Sequence, residues 1–401
     1  MCPLVSFYVI EDDCMNIKPA IVVVAYNRAK SMQRLLDSIA CAEYPYKGIT
    51  LIISIDYHPQ NGDVLKAAND YVWPYGEKIV RTHEKRMGLK AHVLECGNYS
   101  DEYGCIIMLE DDLVAAPDFY HYTIATQEYY KNDSRVAGVA LYCNEWNNFS
   151  FMAFRPLRTP FDAYFRQTCE SWGQSWTENQ WNGFKNWLDT KPELIKMPHM
   201  QSQVYTWPET SWGKYFSKYV TEKNLFLVIP YTARSTCFSE IGQHTGIRNV
   251  CNQVCLMNGI PENYRLPKFE DGVHYDMFFE NVDLKKFLYK WTQNEDCTID
   301  IYGLREDVKS RYLLTTKSLP HKVICSFGLQ MRPYEQNVMM QIPGEGIWLY
   351  DTKEAGNSPK TALELAEYDL SGYEKRALKK YTFKLYLDAT KRKITRMILR
   401  R

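Results

Sequence analysis

The sequence predicts an α/β fold: a mixed, mainly parallel sheet flanked by helices. Three observations carry that expectation. Short β-branched apolar runs alternate with stretches of helical period through the first half of the chain. The runs are apolar throughout, as strands buried on both faces are. Polar or acidic residues close several of them at the carboxyl end. A chain of 401 residues also exceeds what one hydrophobic core usually serves, so more than one domain is expected.

The elements follow in order. Residues 21–25 are an apolar run, and 29–39 place Met32, Leu35, Leu36 and Ile39 at helical spacing, which together make one βα unit. Residues 51–55 form a second strand ending at Asp56, and 78–81 a third. A helix is expected over 87–96, and a fourth strand over 105–109 runs into Glu110, Asp111 and Asp112. From about residue 250 turn residues multiply, and strands reappear at 298–303, 322–327 and 346–350. The expected organisation is an N-terminal extension (1–17), a main domain (18–250), a connecting segment (251–297), a small α/β module (298–355) and a basic helical tail (356–401).

Between 374 and 401 the tail carries eleven lysines and arginines against Glu374 and Asp388, with Phe383, Leu387, Ile394, Met397 and Ile398 near one helical face. Such a helix can lie on an anionic membrane surface or pack, solvated, on the module. The first fourteen residues include Glu11, Asp12 and Asp13 and lack the pattern of a secretory signal. No run approaches the roughly 18 apolar residues that span a bilayer. A cytoplasmic protein is expected, with peripheral contact at the inner face of the plasma membrane through 374–401.

Lysine plus arginine balances aspartate plus glutamate at 48 each, which leaves no overall electrostatic footprint for nucleic acid. The 12 cysteines are scattered and read as free thiols. Cys251 and Cys255 have zinc-compatible spacing, but no second pair matches them.

In open α/β sheets ligands bind beyond the carboxyl ends of the strands. Asn27 and Arg28, Asp56, and the triplet Glu110, Asp111, Asp112 would all sit there. Acids at a strand end suit Mg²⁺ or Mn²⁺, which take one or two carboxylates together with phosphates and water. Asp112 is the first choice for direct coordination, with Asp111 and Glu110 holding water, ribose or a neighbouring group. Acids in this position can also simply cap the following helix, a role open to Asp118 after Pro117.

With these residues in view, the sequence resembles the glycosyltransferase-A (GT-A) superfamily, whose sheet is Rossmann-like and binds nucleotide-sugars. The similarity is strongest to family-two-like enzymes of bacterial surface polysaccharide synthesis, and it extends to the N-acetylglucosaminyltransferase I group around the acidic triplet. The stretches that carry it are VVVAYNR at 22–28, IISID at 52–56, HEKRMGL at 83–89, LEDDL at 109–113 with APDF at 116–119, and Ser171-Trp172-Gly173 with Trp176, spread over about residues 18–250. The resemblance implies that the triplet is a DxD-type motif with Asp112 as the metal ligand. It places Ala25, Asn27 and Arg28 near the nucleotide, Asp56 on the base or ribose, and Arg86 and Lys90 near the phosphates. The implied donor is a UDP- or GDP-sugar, the cofactor Mn²⁺ or Mg²⁺, and the acceptor a glycan or lipid-linked glycan.

On the acceptor side, Trp172 and Gly173 would help form the sugar pocket, while Trp181 and Trp187 could belong to a buried helical stripe. The 30 tyrosines and 10 tryptophans offer the flat apolar faces with polar edges that sugars stack on. An inverting transfer needs a carboxylate to take the acceptor's proton. Here the sequence departs from the family pattern, because the aligned position holds Thr210. Glu209, one residue earlier, is the candidate base and Glu170 the reserve. The loop containing His244 resembles a family loop near the diphosphate. Thr210 leaves open an alternative, a catalytically impaired nucleotide-sugar or carbohydrate-binding scaffold.

Overall fold

A computed structural model describes residues 17–238, 240, 252–359, 382 and 390. They fall into two compact units: one runs to Lys286 and includes Leu304–Asp307, and the other comprises Phe287–Gly303 with the chain from Val308.

The first unit contains β1 (Ala20–Ala25), β2 (Leu51–Ile55), β3 (Lys78–Thr82), β4 (Cys105–Glu110), β5 (Leu113–Ala115), β6 (Val136–Ala140), the short hairpin β7 (Trp146–Asn147) and β8 (Met152–Ala153), β9 (Ala163–Arg166), β10 (Gln174–Thr177), β11 (Phe226–Pro230), β12 (Ser235–Cys237) and β13 (His274–Tyr275). Nine of these make one sheet in the order β13-β9-β11-β6-β10-β4-β1-β2-β3. The strands β3, β2, β1 and β4 are mutually parallel, β10 is antiparallel to both β4 and β6, and β11 runs parallel to β6 and antiparallel to β9. The sheet is therefore mixed and mainly parallel, as the alternating pattern predicts.

Helices flank the sheet: α1 (Ala29–Ala40), α2 (Gly62–Asp70), α3 (Leu89–Gly97), α4 (Tyr99–Tyr103), α5 (Phe119–Tyr130), α6 (Glu178–Asp189), the single turn α7 (Ser202–Tyr205) and α8 (Trp212–Glu222). On α1 the buried face is Ser31, Met32, Leu35, Leu36 and Ile39, the stripe its spacing predicts. It packs with Ile21, Val23, Ile53 and Leu109 into the main core. Each large apolar side chain buried in this way contributes about 1.5–3 kcal/mol.

The expected helix over 87–96 begins later, at Leu89, because Gly88 has φ +80° and breaks the helical path. Two of the tryptophans share the buried helical face expected of them, and a third does not. Trp176 lies in β10, whereas Trp181 and Trp187 are buried on α6. The switch between the two elements is a capping box: Thr177 accepts from the Gln180 backbone N–H, and the Gln180 side chain accepts from the Thr177 N–H.

The second unit holds β14 (Cys297–Asp300), β15 (Tyr312–Thr315), β16 (His321–Phe327) and β17 (Ile347–Ala355) in the order β14-β15-β17-β16. The basic tail, apart from Thr382 and Thr390, lies outside the described residues, as do His244 and Cys251. Among the described residues no helix is long and apolar enough to cross a membrane, and the described cysteines carry free thiols.

Candidate functional site

Register sets the site. Val24 pairs with Glu110 and Ala25 with Ile55, so β1, β2 and β4 end side by side. Two backbone bonds seal that edge: the Asp56 N–H donates to the Ala25 carbonyl at 3.0 Å and the Asp111 N–H to the Val24 carbonyl at 3.1 Å. Three loops distant in sequence thereby converge where an open sheet binds ligands.

The acidic turn is held from beyond as well. β5, directly after it, pairs antiparallel with β12, and the Phe238 N–H donates to the Asp112 carbonyl at 2.8 Å. Arg28, between β1 and α1, directs its guanidinium onto this turn. Nη1 donates to Asp112 Oδ2 at 3.0 Å, and Nη2 makes a close contact with Asp111 Oδ1. Burial, followed by the charges of Asp112 and Asp111, pushes the Glu110 carboxyl up to about 8. Burial also lifts Asp111 to about 6 against the pull of Arg28. Asp111 Oδ2 and Asp112 Oδ1 are buried and have no hydrogen-bond partner among the described residues.

These orphaned oxygens fit a divalent cation, which is a hard acid that seeks carboxylate oxygen. Among the described residues no three His, Cys, Asp or Glu side chains are grouped to hold a metal by themselves. A cation here would depend on few carboxylates and on oxygens brought by a ligand, as Mg²⁺-type sites commonly do.

Asp56 is buried and serves the neighbouring loop. Its Oδ1 accepts from the backbone N–H groups of Tyr57 and Met87, each at 2.8 Å, and its Oδ2 from Gly88 at 3.0 Å. The carboxylate therefore fixes the 83–88 loop against the end of β2. Tyr26 lies beside this loop, with the Arg86 guanidinium 5.2 Å from its ring centroid and the His58 ring edge-on at 5.1 Å. Asn27 is half-buried in the turn before Arg28.

Trp172 and Gly173 join the same region through β12. Ser235 donates its hydroxyl to the Trp172 carbonyl, and the Leu141 N–H donates to the Gly173 carbonyl at 2.9 Å. Gly173 has φ +100°, and a Cβ there would stand 2.5 Å from Ser235 Oγ and 3.2 Å from Leu141 Cβ. Only glycine fits that backbone comfortably. The Trp172 ring packs edge-on against Tyr142 at 4.7 Å.

The two candidate bases have opposite surroundings. Glu170 is buried, accepts from the Trp172 N–H at 3.4 Å and faces Arg166 at 3.7 Å. Burial pushes its carboxyl up to about 7, and it is near enough to Glu110 to raise that group further. Glu209 is exposed. Lys214 at 2.8 Å and the Tyr215 hydroxyl at 2.6 Å hold its carboxyl below the usual range. Lys90 reaches the Glu209 carbonyl at 3.3 Å and lies 3.4 Å from the Tyr215 ring centroid. Of the sequence-predicted residues, Arg28, Glu110, Asp111, Asp112 and Glu170 gather around the acidic turn, and Trp172 and Gly173 follow Glu170. Asp56 holds the neighbouring 83–88 loop that carries Arg86, and Lys90 meets Glu209 just before α8.

Sequence reasoning missed several contributors. Ser235 and Leu141 shape the Trp172–Gly173 turn, Lys214 and Tyr215 restrain Glu209, and Glu240 is tied to α1 by Arg34 at 2.9 Å and by Ser31. The apolar run of β11 just before Ser235 was a readable sign that another strand end arrives here.

No protein-family model matches the sequence, and no curated protein matches it. Among solved structures the chain is similar to S. aureus TarS 1-349, at 10% identity and a TM-score of 0.35 over 55% of this chain and 60% of that one. It is also similar to the mannosyltransferase PcManGT from Pyrobaculum calidifontis in complex with GDP-Man and Mn²⁺, at 14% identity and a TM-score of 0.29 over 43% and 47%. A third is GalNAc-T7 with UDP, GalNAc and Mn²⁺, at 12% identity and a TM-score of 0.38 over 55% and 44%. The chain spans between 44% and 60% of those chains' length.

Proposed function

We propose that this chain is a divalent-metal-dependent glycosyltransferase of the GT-A type. It would move a sugar from a UDP- or GDP-sugar to a glycan or lipid-linked acceptor, with inversion, in the synthesis of a cell-surface polysaccharide. The observation that carries the reading is the Glu110–Asp112 turn, with two buried unpartnered carboxylate oxygens at the strand edge shared with Arg28 and Asp56. The resemblance also extends beyond that turn, to HEKRMGL at 83–89 and Ser171-Trp172-Gly173, and these stretches support the reading further.

In this reading Asp112 holds Mn²⁺ or Mg²⁺, with Asp111 and Glu110 beside it; such an ion neutralises charge that grows on a departing diphosphate. Asp56 sets the 83–88 loop, and with it Arg86, against the nucleotide. Trp172 and Gly173 form a wall of the sugar pocket. Glu170 takes the acceptor hydroxyl's proton. Supporting Glu170 over Glu209 is its poise near neutrality, where a general base works best; Glu209 is already committed to Lys214 and Tyr215. Glu209 then anchors the acceptor side through Lys90.

The test is Asp112→Ala, assayed for sugar transfer and for hydrolysis of UDP- and GDP-sugars. Both activities should vanish while circular dichroism stays unchanged, and excess chelator should do the same to the wild type. Full activity in either case would remove the metal from the account.

A further inference from the structure

The Arg28 guanidinium reaches two different carboxylates with two different nitrogens, and so holds Asp111 and Asp112 side by side. Each carboxylate spends one oxygen on it, while the other, Asp111 Oδ2 or Asp112 Oδ1, stays buried without a partner among the described residues. One guanidinium thus faces two carboxylates, Asp111 and Asp112, and leaves one buried oxygen of each unpaired among the described residues. Incompletely paired buried charge is costly.

The two ends of the contact differ in access. The Asp111 side chain is 4% exposed, whereas those of Arg28 and Asp112 are each 25% exposed. The Arg28 backbone is fixed between β1 and α1, and its carbonyl accepts the Met32 N–H at 3.0 Å. Only the side chain is free to turn, and it would do so at the Asp112 end.

From this geometry, and resting on the transferase reading of the site, we infer that Arg28 guards the acid pair. In the free protein it occupies Asp111 and Asp112; on donor binding it yields Asp112 to a divalent cation and turns its guanidinium to the donor's diphosphate. A planar guanidinium matches phosphate oxygens as well as carboxylates, so the exchange replaces one anionic partner with another. Cation and nucleotide then bind cooperatively, each raising the other's affinity by the same factor. The device would keep the site from holding a metal before a donor arrives.

The experiment titrates Mn²⁺ alone, then UDP and GDP with and without Mn²⁺, into the wild type, Arg28→Ala, Arg28→Lys and Asp112→Asn, followed by calorimetry and by the spin-resonance signal of free Mn²⁺. Arg28→Ala should bind Mn²⁺ alone at least tenfold more tightly than the wild type and bind nucleoside diphosphate in Mn²⁺ at least tenfold more weakly. The cooperativity between the two ligands should fall to the part that direct contact between cation and diphosphate supplies. Arg28→Lys, which keeps the charge but not the fork, should change in the same directions by about threefold, and decides the matter if the alanine variant does not fold. Suppose Asp112→Asn abolishes Mn²⁺ binding but the Arg28 variants bind Mn²⁺ no more tightly than the wild type: the guarding role is then wrong and the site reading stands. If Mn²⁺ binding is insensitive to Asp112→Asn, or absent from every protein even with UDP or GDP, the site reading itself fails.

Discussion

Replacing Glu170 with glutamine isolates one buried carboxyl and gives a signed prediction. Burial raises its pKa from 4.5 to about 7. Between those values the folded protein holds a proton that the unfolded chain has released, so stability falls as pH rises through that window. At about 1.36 kcal/mol for each pH unit, the loss is on the order of 3 kcal/mol and is complete above about pH 7. Glutamine cannot ionise and escapes the loss. Urea unfolding at pH 4.5 and pH 8 should therefore show Glu170→Gln gaining roughly 3 kcal/mol on the wild type across the interval. Glu110 and Asp111 titrate in nearby ranges, but both remain in the variant and largely cancel in the comparison. The same substitution should lower kcat by about 10²–10⁴, the usual worth of a general base, and remove the acid limb of the pH–rate profile near 7. Glu209→Gln should keep that limb. If wild type and Glu170→Gln show the same pH dependence of stability, burial does not hold Glu170 protonated above the ordinary carboxyl range; an unchanged acid limb would remove it as the base.

Two further substitutions probe the frame around the site. Asp56→Ala strips the acceptor from the Tyr57, Met87 and Gly88 N–H groups. It should cost about 1–3 kcal/mol in thermal unfolding and raise KM for the donor more than it lowers kcat, whereas an unchanged KM would separate the 83–88 loop from the nucleotide. Gly173→Ala forces a Cβ onto Ser235 Oγ at a positive φ and should destabilise by about 1–3 kcal/mol with a parallel loss of transfer. A stable, fully active variant would show that the Trp172–Gly173 turn can move away without consequence.

The sequence made some of this molecule legible and concealed the rest for identifiable reasons. β1, β2 and β4 were readable because strands buried on both faces are apolar at every position, and the polar or acidic residues after them marked the edge where open sheets bind ligands. β10 was not, since Gln174, Ser175 and Thr177 look like loop residues. They are buried between β4 and β6, where Gln127 donates to Ser175 Oγ at 3.1 Å. β6 was hidden by Gly138, which suits a strand here because a Cβ would meet the Trp176 ring at 2.7 Å.

Within the site, residue types at strand ends were predictable, but their partners were not. Arg28 meets residues 83 and 84 positions away, and Asp56 spends its oxygens on a loop some 31 residues on. Such pairings depend on strand order, which no local pattern encodes. Trp181 and Trp187 do lie buried on one helix, whereas Trp176 falls across a strand–helix boundary that the Thr177–Gln180 capping signal marked.

The central claim is that the Glu110–Asp112 turn holds a cation which in turn holds a nucleoside diphosphate. Its most direct test is a crystal grown with Mn²⁺ and UDP or GDP, with data collected for the anomalous signal of manganese. The account predicts a manganese peak at coordination distance from an Asp112 carboxylate oxygen, with the diphosphate on its open side and the Arg28 guanidinium turned onto it. A peak remote from residues 110–112, or a nucleotide bound away from Asn27 and Asp56, would contradict it.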